Sequence, residues 1–229
     1  MDTNGQRRAS DERFRDRKHA GLALADRLSA FTGEARTLVL ALPRGGVPVA
    51  AEVAQMIGAP LDVLIARKIG VPHYPELAMG AIAGLGDAFA VVENGDILNQ
   101  LGLQGRGDGL FALLVARERD ELLRRERLYR GSRAPLSVTD RTVIIVDDGL
   151  ATGATMRAAI AVLRQLAPAR LVVAVPVGSP QACETIAHLV DELVCVLAPD
   201  PFHAVGQGYL SFTQTSDDEV VRILRRHWG

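Results

Sequence analysis

Residues 142–155, with the sequence TVIIVDDGLATGAT, indicate how the rest of the chain is organised. The segment begins with a run of β-branched residues, which is typical of a strand buried on both faces. Asp147 and Asp148 follow directly, and a short loop of small residues leads into a helix predicted over 153–166. Ligands of open parallel sheets bind beyond the carboxyl ends of the strands. The segment therefore predicts a crevice that contains two carboxylates and a helix N-terminus.

This combination of groups fits a phosphorylated sugar. A helix N-terminus offers unpaired N–H groups and a partial positive charge, which suit a phosphate. Thr152 and Thr155 add hydroxyl groups, and Gly153 allows the backbone to approach a ligand closely. Asp147 and Asp148 repel a phosphate and need a neutral polyol or a metal ion instead. We therefore expect the two acids to bind sugar hydroxyls and the helix end to bind the phosphate.

The remaining chain alternates between predicted strands and helices. Strand–helix alternation predicts an α/β fold, Rossmann-like, with a parallel sheet of about five strands between helices. We expect one domain over residues 1–229, beginning with an amphipathic helix over 11–31. The other predicted strands are 37–42, 61–66, 171–176 and 192–197, and the other predicted helices are 47–57, 109–130 and 180–189.

Two regions depart from this alternation. Residues 70–107 contain eight glycines and two short hydrophobic runs, 77–83 and 88–92, which predict a β-hairpin. The long charged helix over 109–130 follows, so we expect an inserted subdomain over about 70–130. Its glycine-rich part is the best candidate for a lid over the crevice, and residues 199–229 are predicted to form a C-terminal hood.

Composition excludes several classes of protein. The chain has 26 Lys and Arg against 27 Asp and Glu, and only 4% aromatic residues. This balance argues against binding to nucleic acid through phosphates or through a base-stacking platform. Two cysteines cannot form a disulfide framework, and no apolar run approaches the ~18 residues that span a bilayer. We therefore expect a cytoplasmic protein with no nucleic-acid or membrane partner.

Two further segments carry positive charge near predicted strand ends. LPRGGVP, residues 42–48, follows the first strand, and Arg44 in it offers a planar fork for phosphate oxygens. Gly45 and Gly46 allow backbone amides to face a ligand. Arg67 and Lys68 are predicted to end the second strand. Lys68 stands out because the chain has only two lysines.

The acidic segment resembles the signature of the type I phosphoribosyltransferases: a hydrophobic run, two acids, a few small positions and Thr-Gly-x-Thr. The resemblance implies that Asp147 and Asp148 bind the ribose of phosphoribosyl pyrophosphate. It also implies that the residues that follow them bind the 5-phosphate of that ribose. Residues 42–48 are similar to the pyrophosphate-binding loop of that family. The implied ribose phosphate residues are Gly149, Leu150, Ala151, Thr152, Gly153, Ala154 and Thr155, and the implied pyrophosphate residues are Arg44, Gly45, Gly46, Arg67 and Lys68.

The resemblance also implies a reaction. A nitrogen nucleophile attacks C1 of the ribose while pyrophosphate leaves, and Arg44, Lys68 and Mg²⁺ stabilise the charge of the leaving group. The Mg²⁺ is expected to be held mainly by the substrate, with Asp147 and Asp148 contributing through water. The family resemblance further implies a homodimer and a role in nucleotide salvage. The whole layout looks like a bacterial subgroup whose acceptor is not known.

The sequence departs from the hypoxanthine–guanine enzymes at Ala151, where those enzymes have an aspartate beside the purine. A methyl group cannot accept a proton, so we expect 6-oxopurines to be poor acceptors. Phe202 and Tyr209 are predicted either to stack on a planar base or to pack the C-terminal tail onto the core. Two other functions stay open: a regulator or sensor that binds phosphoribosyl pyrophosphate without turnover, and a phosphohydrolase. The adjacent acids fit a phosphohydrolase less well, since that chemistry often uses Asp-x-Asp.

Overall fold

The described part of the chain, residues 13–103 and 109–228 of a computed structural model, contains two sheets and seven α-helices. The strands are β1 (Thr37–Ala41), β2 (Leu61–Val63), β3 (Ile65–Val71), β4 (Tyr74–Leu85), β5 (Ala88–Glu93), β6 (Thr142–Val146), β7 (Arg170–Val177) and β8 (Glu192–Leu197). The helices are α1 (Arg17–Arg27), α2 (Gly46–Ile57), α3 (Gly95–Gln100), α4 (Gly109–Arg130), α5 (Ala154–Gln165), α6 (Pro180–Ala187) and α7 (Asp217–Trp228).

The larger sheet is parallel and has five strands in the order β2-β1-β6-β7-β8. This confirms the predicted α/β fold with a five-stranded parallel sheet between helices. In the centre, β1 pairs with β6 along its whole length, and Ala41 lies opposite Val146. Because both strands run in the same direction, the loops that follow them leave the sheet side by side. The fold thereby brings residues 42–46 next to Asp147 and Asp148.

Alternate residues of the central strands face two separate cores. Val39 and Ile144 point to the side covered by α1 and α2, while Leu40 and Ile145 point to the side covered by α5. Both faces are buried, which explains why the strands are hydrophobic without alternation. The predicted N-terminal helix is shorter than expected, since α1 begins at Arg17 and a separate 3-10 turn covers Ser29–Phe31. Residues 11 and 12 of that prediction lie outside the described residues.

The smaller sheet is antiparallel, in the order β3-β4-β5, and packs against α5. It contains the predicted hairpin, which turns at Gly86 and Asp87. The prediction of one strand over 61–66 was wrong, because β2 ends at Val63 and β3 starts a different sheet at Ile65. Leu64 between them is buried, so hydrophobicity continues across the change of sheet. Part of the candidate lid, residues 104–108, lies outside the described residues.

The long charged helix α4 is anchored by a buried ion pair at its C-terminal end. Arg130 donates from Nε to Oδ1 of Asp62 at 3.0 Å, and the N–H of Leu136 donates to Oδ2 of the same carboxylate at 2.9 Å. Arg130 also donates to Glu126 and to the carbonyl of Val63. These bonds tie α4 to the edge strand β2 of the central sheet. No described helix combines the length and the apolarity needed to cross a membrane.

We expect Arg130→Met to lower the free energy of unfolding by about 3 kcal/mol, because it leaves the Asp62 carboxylate buried without its cation. The matched control is Arg164→Met. Arg164 forms an ion pair with Asp191 at 3.4 Å, and both side chains are solvent-exposed. This variant should therefore lose less than about 1 kcal/mol of unfolding free energy. Urea denaturation of both variants measures the difference. Equal losses would show that Arg130 does not anchor α4.

Candidate functional site

The acidic pair lies half-buried at the carboxyl end of β6. The N–H of Asp148 donates to Oδ1 of Asp147 at 2.8 Å. Burial raises the pKa of Asp147 well above its ordinary value, and the negative charge of Asp148 raises it further. Burial also raises the pKa of Asp148, although Arg17 opposes that shift. Both carboxylates are therefore kept in a place that disfavours negative charge.

Arg17, in the first turn of α1, is the cation paired with these acids in the described structure. Its Nε and Nη2 lie 2.8 and 2.7 Å from Oδ2 of Asp148. Its Nη1 donates to the carbonyl of Thr213 at 2.5 Å, and its guanidinium lies 4.0 Å above the ring centre of Phe212. Sequence reasoning missed Arg17, because it stands 131 residues before Asp148 and belongs to no motif.

The glycine-rich loop after β1 lies directly against the acids. A Cβ atom on Gly45 would lie 1.9 Å from Oδ2 of Asp148, and one on Gly46 would lie 2.7 Å from the carbonyl oxygen of Val146. Only glycine fits at either position without displacing a neighbour. The peptide between Pro43 and Arg44 is cis. The structure thus brings the predicted pyrophosphate loop into contact with the predicted ribose-binding acids.

The predicted cations are not gathered in one place. Nη1 of Arg44 lies 3.7 Å from Oδ1 of Asp217, at the start of α7. Arg67 and Lys68 lie in the middle of β3 rather than at the end of a central strand. Arg67 pairs with acids of α4, while the exposed Lys68 has no ion-pair partner among residues 13–103 and 109–228. Arg44 is therefore the predicted cation whose loop contacts the acids, through the adjacent Gly45.

The N-terminus of α5 is open toward the loop. Gly153 occupies the cap position with φ of 72°, a left-handed conformation that favours glycine, and no side chain caps the helix. Thr152 is exposed, and Thr155 is half-buried in the first turn. Ala154 is buried, so its methyl group does not cover the helix end. The first-turn N–H groups have no side-chain partner in the described structure, as a phosphate site requires.

The rest of the loop is fixed by the neighbouring strand β7 and by the residues after it. Leu150 donates from its N–H to the carbonyl of Val177 at 2.8 Å. Ser179 donates from Oγ to the carbonyl of Ala151 at 2.8 Å, and from its N–H to the carbonyl of Leu150 at the same distance. The methyl group of Ala151 is left exposed.

The predicted hood packs onto this loop. Tyr209 donates from its hydroxyl to the carbonyl of Asp148 at 2.6 Å, and its ring centre lies 4.8 Å from that of Phe212. Val205 fills the space beside Gly149, where a Cβ atom would lie 2.2 Å from Val205 Cγ1. Phe202 is half-buried and packs against the same cluster as Tyr209. In the structure Phe202 and Tyr209 pack against neighbouring side chains. That either ring stacks on a base stays a prediction.

Residues 16–211 match the sequence profile of the family described as phosphoribosyl transferase domain. The chain belongs to this family. It is 48% identical over 217 residues to two Mycobacterium tuberculosis proteins, "Putative phosphoribosyl transferase MT0597" and "Putative phosphoribosyl transferase Rv0571c". That alignment covers 93% of this chain and 46% of each relative, so the chain spans about half their length.

A solved structure extends the similarity to three dimensions. The crystal structure of TT1426 from Thermus thermophilus is 42% identical in sequence and superposes with a TM-score of 0.76. The superposition covers 93% of this chain and 98% of that one. All the phosphoribosyltransferase motifs of the chain, from Arg44 to Tyr209, lie within the residues matched to the family.

We expect Asp147→Asn to stabilise the ligand-free protein at neutral pH. An acid with a raised pKa costs stability once the pH passes its unfolded value of 3.8, and the cost grows until the pH reaches the folded pKa. Asparagine keeps the acceptor for the N–H of Asp148 but removes the charge. The gain should therefore vanish at low pH. Urea denaturation between pH 3.5 and pH 8 measures it.

The matched control is Asp191→Asn. The N–H of Leu171 and the neighbouring arginines lower the pKa of Asp191, so its charge stabilises the fold above the unfolded value. This variant should lose stability at neutral pH and approach the parent protein as the pH falls. Destabilisation by Asp147→Asn at neutral pH would contradict the assignment of unfavourable charge to the acidic pair.

Proposed function

We propose that the protein is a phosphoribosyltransferase that binds Mg²⁺–phosphoribosyl pyrophosphate, transfers the phosphoribosyl group to a nitrogen acceptor and releases pyrophosphate. The acceptor is a nucleobase or a similar planar base. One observation carries the proposal: the acidic pair after β6 touches the glycine-rich loop after β1, beside the uncapped N-terminus of α5. Two carboxylates, a glycine-rich loop and a helix N-terminus, which suit different chemical groups of a ligand, therefore meet at one edge of the sheet.

Each part of the donor molecule has a matching group in this arrangement. The 5-phosphate is assigned to the N-terminus of α5, where Thr152 and Thr155 add hydroxyls. The ribose hydroxyls are assigned to Asp147 and Asp148, because carboxylates accept hydrogen bonds from a diol and repel phosphates. The pyrophosphate is assigned to the loop after β1, through Arg44 and the amides beside it.

During the reaction the bond between C1 and the pyrophosphate oxygen breaks, and the acceptor nitrogen forms a bond to C1 from the opposite face. Negative charge grows on the leaving pyrophosphate, where Arg44 and the loop amides stabilise it. Lys68, exposed on β3 and separate from Arg44, is assigned to the same charge on the family resemblance. Asp147 and Asp148 hold the ring hydroxyls in place as positive charge develops on the sugar.

The site also fits a divalent cation that arrives with the substrate. Mg²⁺ prefers oxygen ligands and keeps several of its waters, and the adjacent carboxylates of Asp147 and Asp148 offer oxygens that such waters can reach. When bound, the ion neutralises part of the charge of the pyrophosphate. The described residues contain no group of three or more acidic, His or Cys side chains that could hold a metal.

Titration calorimetry with phosphoribosyl pyrophosphate and Mg²⁺ tests donor binding. Asp147→Asn/Asp148→Asn should weaken binding by about tenfold or more, because two charged acceptors for hydroxyls are lost. Arg44→Ala should weaken binding of pyrophosphate far more than binding of ribose 5-phosphate. Arg164→Ala removes an exposed cation on α5 and serves as the control. Unchanged binding by the double variant, or no binding by the parent protein, would contradict the proposal.

A product assay with each purine and pyrimidine tests the acceptor. The exposed methyl of Ala151 offers no proton acceptor, so hypoxanthine and guanine should react at least about tenfold more slowly than the best acceptor. Phe202→Ala should slow the reaction if its ring stacks on the base. Rapid reaction of guanine would contradict the Ala151 argument. Donor binding without any product would favour the sensor function over transfer.

A further inference from the structure

The side chain of Arg17 is fixed on every side. Nε donates to Oδ2 of Asp148, Nη2 forms an ion pair with the same oxygen, and Nη1 donates to the carbonyl of Thr213. One face of the guanidinium covers the ring of Phe212. The side chain is only 12% exposed and that of Asp148 only 16%. A rigid, charge-assisted contact of this kind orients a carboxylate more strictly than a mobile surface ion pair does.

The charges of the site explain what this contact does. Two adjacent carboxylates repel each other, and the repulsion is strongest where water is partly excluded. Among residues 13–103 and 109–228, Arg17 is the cation that forms an ion pair with either acid. Burial raises the pKa of both acids, and the positive charge of Arg17 opposes that shift at each of them.

The contact also leaves an acceptor free. Both contacts of Arg17 with Asp148, from Nε at 2.8 Å and from Nη2 at 2.7 Å, are to Oδ2 and leave Oδ1 outside the ion pair. Gly45 lies against the same carboxylate on another side. Arg17 thus holds the carboxylate by one oxygen and does not engage the other.

The position of Arg17 is set by backbone hydrogen bonds between two segments that are distant in sequence. Phe14 donates from its N–H to the carbonyl of Gly208 at 2.8 Å, and Leu210 donates back to the carbonyl of Phe14 at 2.7 Å. Ser211 donates to the carbonyl of Arg15 at 2.9 Å. These bonds fix the start of α1 beside the hood, whose Tyr209 also donates to the carbonyl of Asp148.

We propose that Arg17 is a positioning residue for sugar recognition: it holds Oδ2 of Asp148 so that Oδ1 and the Asp147 carboxylate accept the two ring hydroxyls of a ribose phosphate. This inference rests on the proposed function, since it assumes that the acidic pair binds a ribose diol. Arg17 touches neither the donor phosphates nor the acceptor, and it acts through Asp148.

The test measures how strongly the protein prefers a ribose phosphate over the same sugar phosphate without its 2-hydroxyl group. Calorimetry gives the affinities for ribose 5-phosphate, 2-deoxyribose 5-phosphate and inorganic pyrophosphate. The parent protein should prefer ribose 5-phosphate by about tenfold or more, the effect of one hydrogen bond to a charged group. Arg17→Met should reduce this ratio toward one, and Arg17→Lys should restore part of it. Pyrophosphate affinity should change by less than about threefold in every variant.

Lys18→Met is the matched control, because it removes the next cation of the same helix turn. Lys18 is exposed and lies 3.8 Å from Glu52, away from the acids, so this variant should keep the full ratio. Thermal unfolding checks that each variant is folded. If Arg17→Met does not fold, Arg17→Gln preserves the shape of the side chain and carries the same expectation.

The outcomes separate the two proposals. If the parent protein prefers the ribose and Arg17→Met keeps the whole preference, the role of Arg17 is overturned and the proposed function stands. Tighter binding of ribose 5-phosphate by Arg17→Met would also overturn it, because Arg17 would then occupy the sugar site. If the parent protein binds neither ribose 5-phosphate nor phosphoribosyl pyrophosphate, the proposed function is overturned together with this inference.

Discussion

The burial of two adjacent carboxylates at the end of β6 is the constraint on which the rest of the site depends. Asp147 and Asp148 are held where both burial and mutual repulsion oppose their charge. Arg17 opposes this cost with its charge, and the hydroxyl of Tyr209 fixes the main chain by donating to the carbonyl of Asp148. A pair of acids that costs stability and is held in place this firmly is best explained by its chemistry, since apolar residues would serve the sheet better.

The same constraint explains the glycines of the loop after β1. Direct pairing of β1 with β6 brings this loop within contact of the acids, because no strand separates the two. The available space excludes any Cβ at Gly45 or Gly46. The glycines therefore follow from the order of the strands, and the N–H of Gly46 closes the loop by donating to the carbonyl of Leu42 at 3.1 Å.

Local sequence patterns predicted most of the fold and only part of the site. Continuous apolar runs predicted the strands Thr142–Val146 and Glu192–Leu197 with the bounds that are observed. Helical periodicity predicted the helix Gly109–Arg130 in the same way. The break between β2 and β3 could not be predicted, because buried residues continue through Leu64. Arg17 could not be predicted either, since periodicity and motifs carry no information about a contact across 131 residues.

The C-terminal hood shows why the acceptor is harder to predict than the donor. Its residues 205–213 pack against Gly149, bond to Asp148 through Tyr209 and hold Arg17 through Thr213 and Phe212. A segment that supports the acidic pair through these contacts cannot rearrange freely around a ligand. If the proposed function holds, an acceptor that enters beneath this hood meets residues already bonded to Asp148 and Arg17, so we expect substitutions in the hood to change donor binding and acceptor choice together.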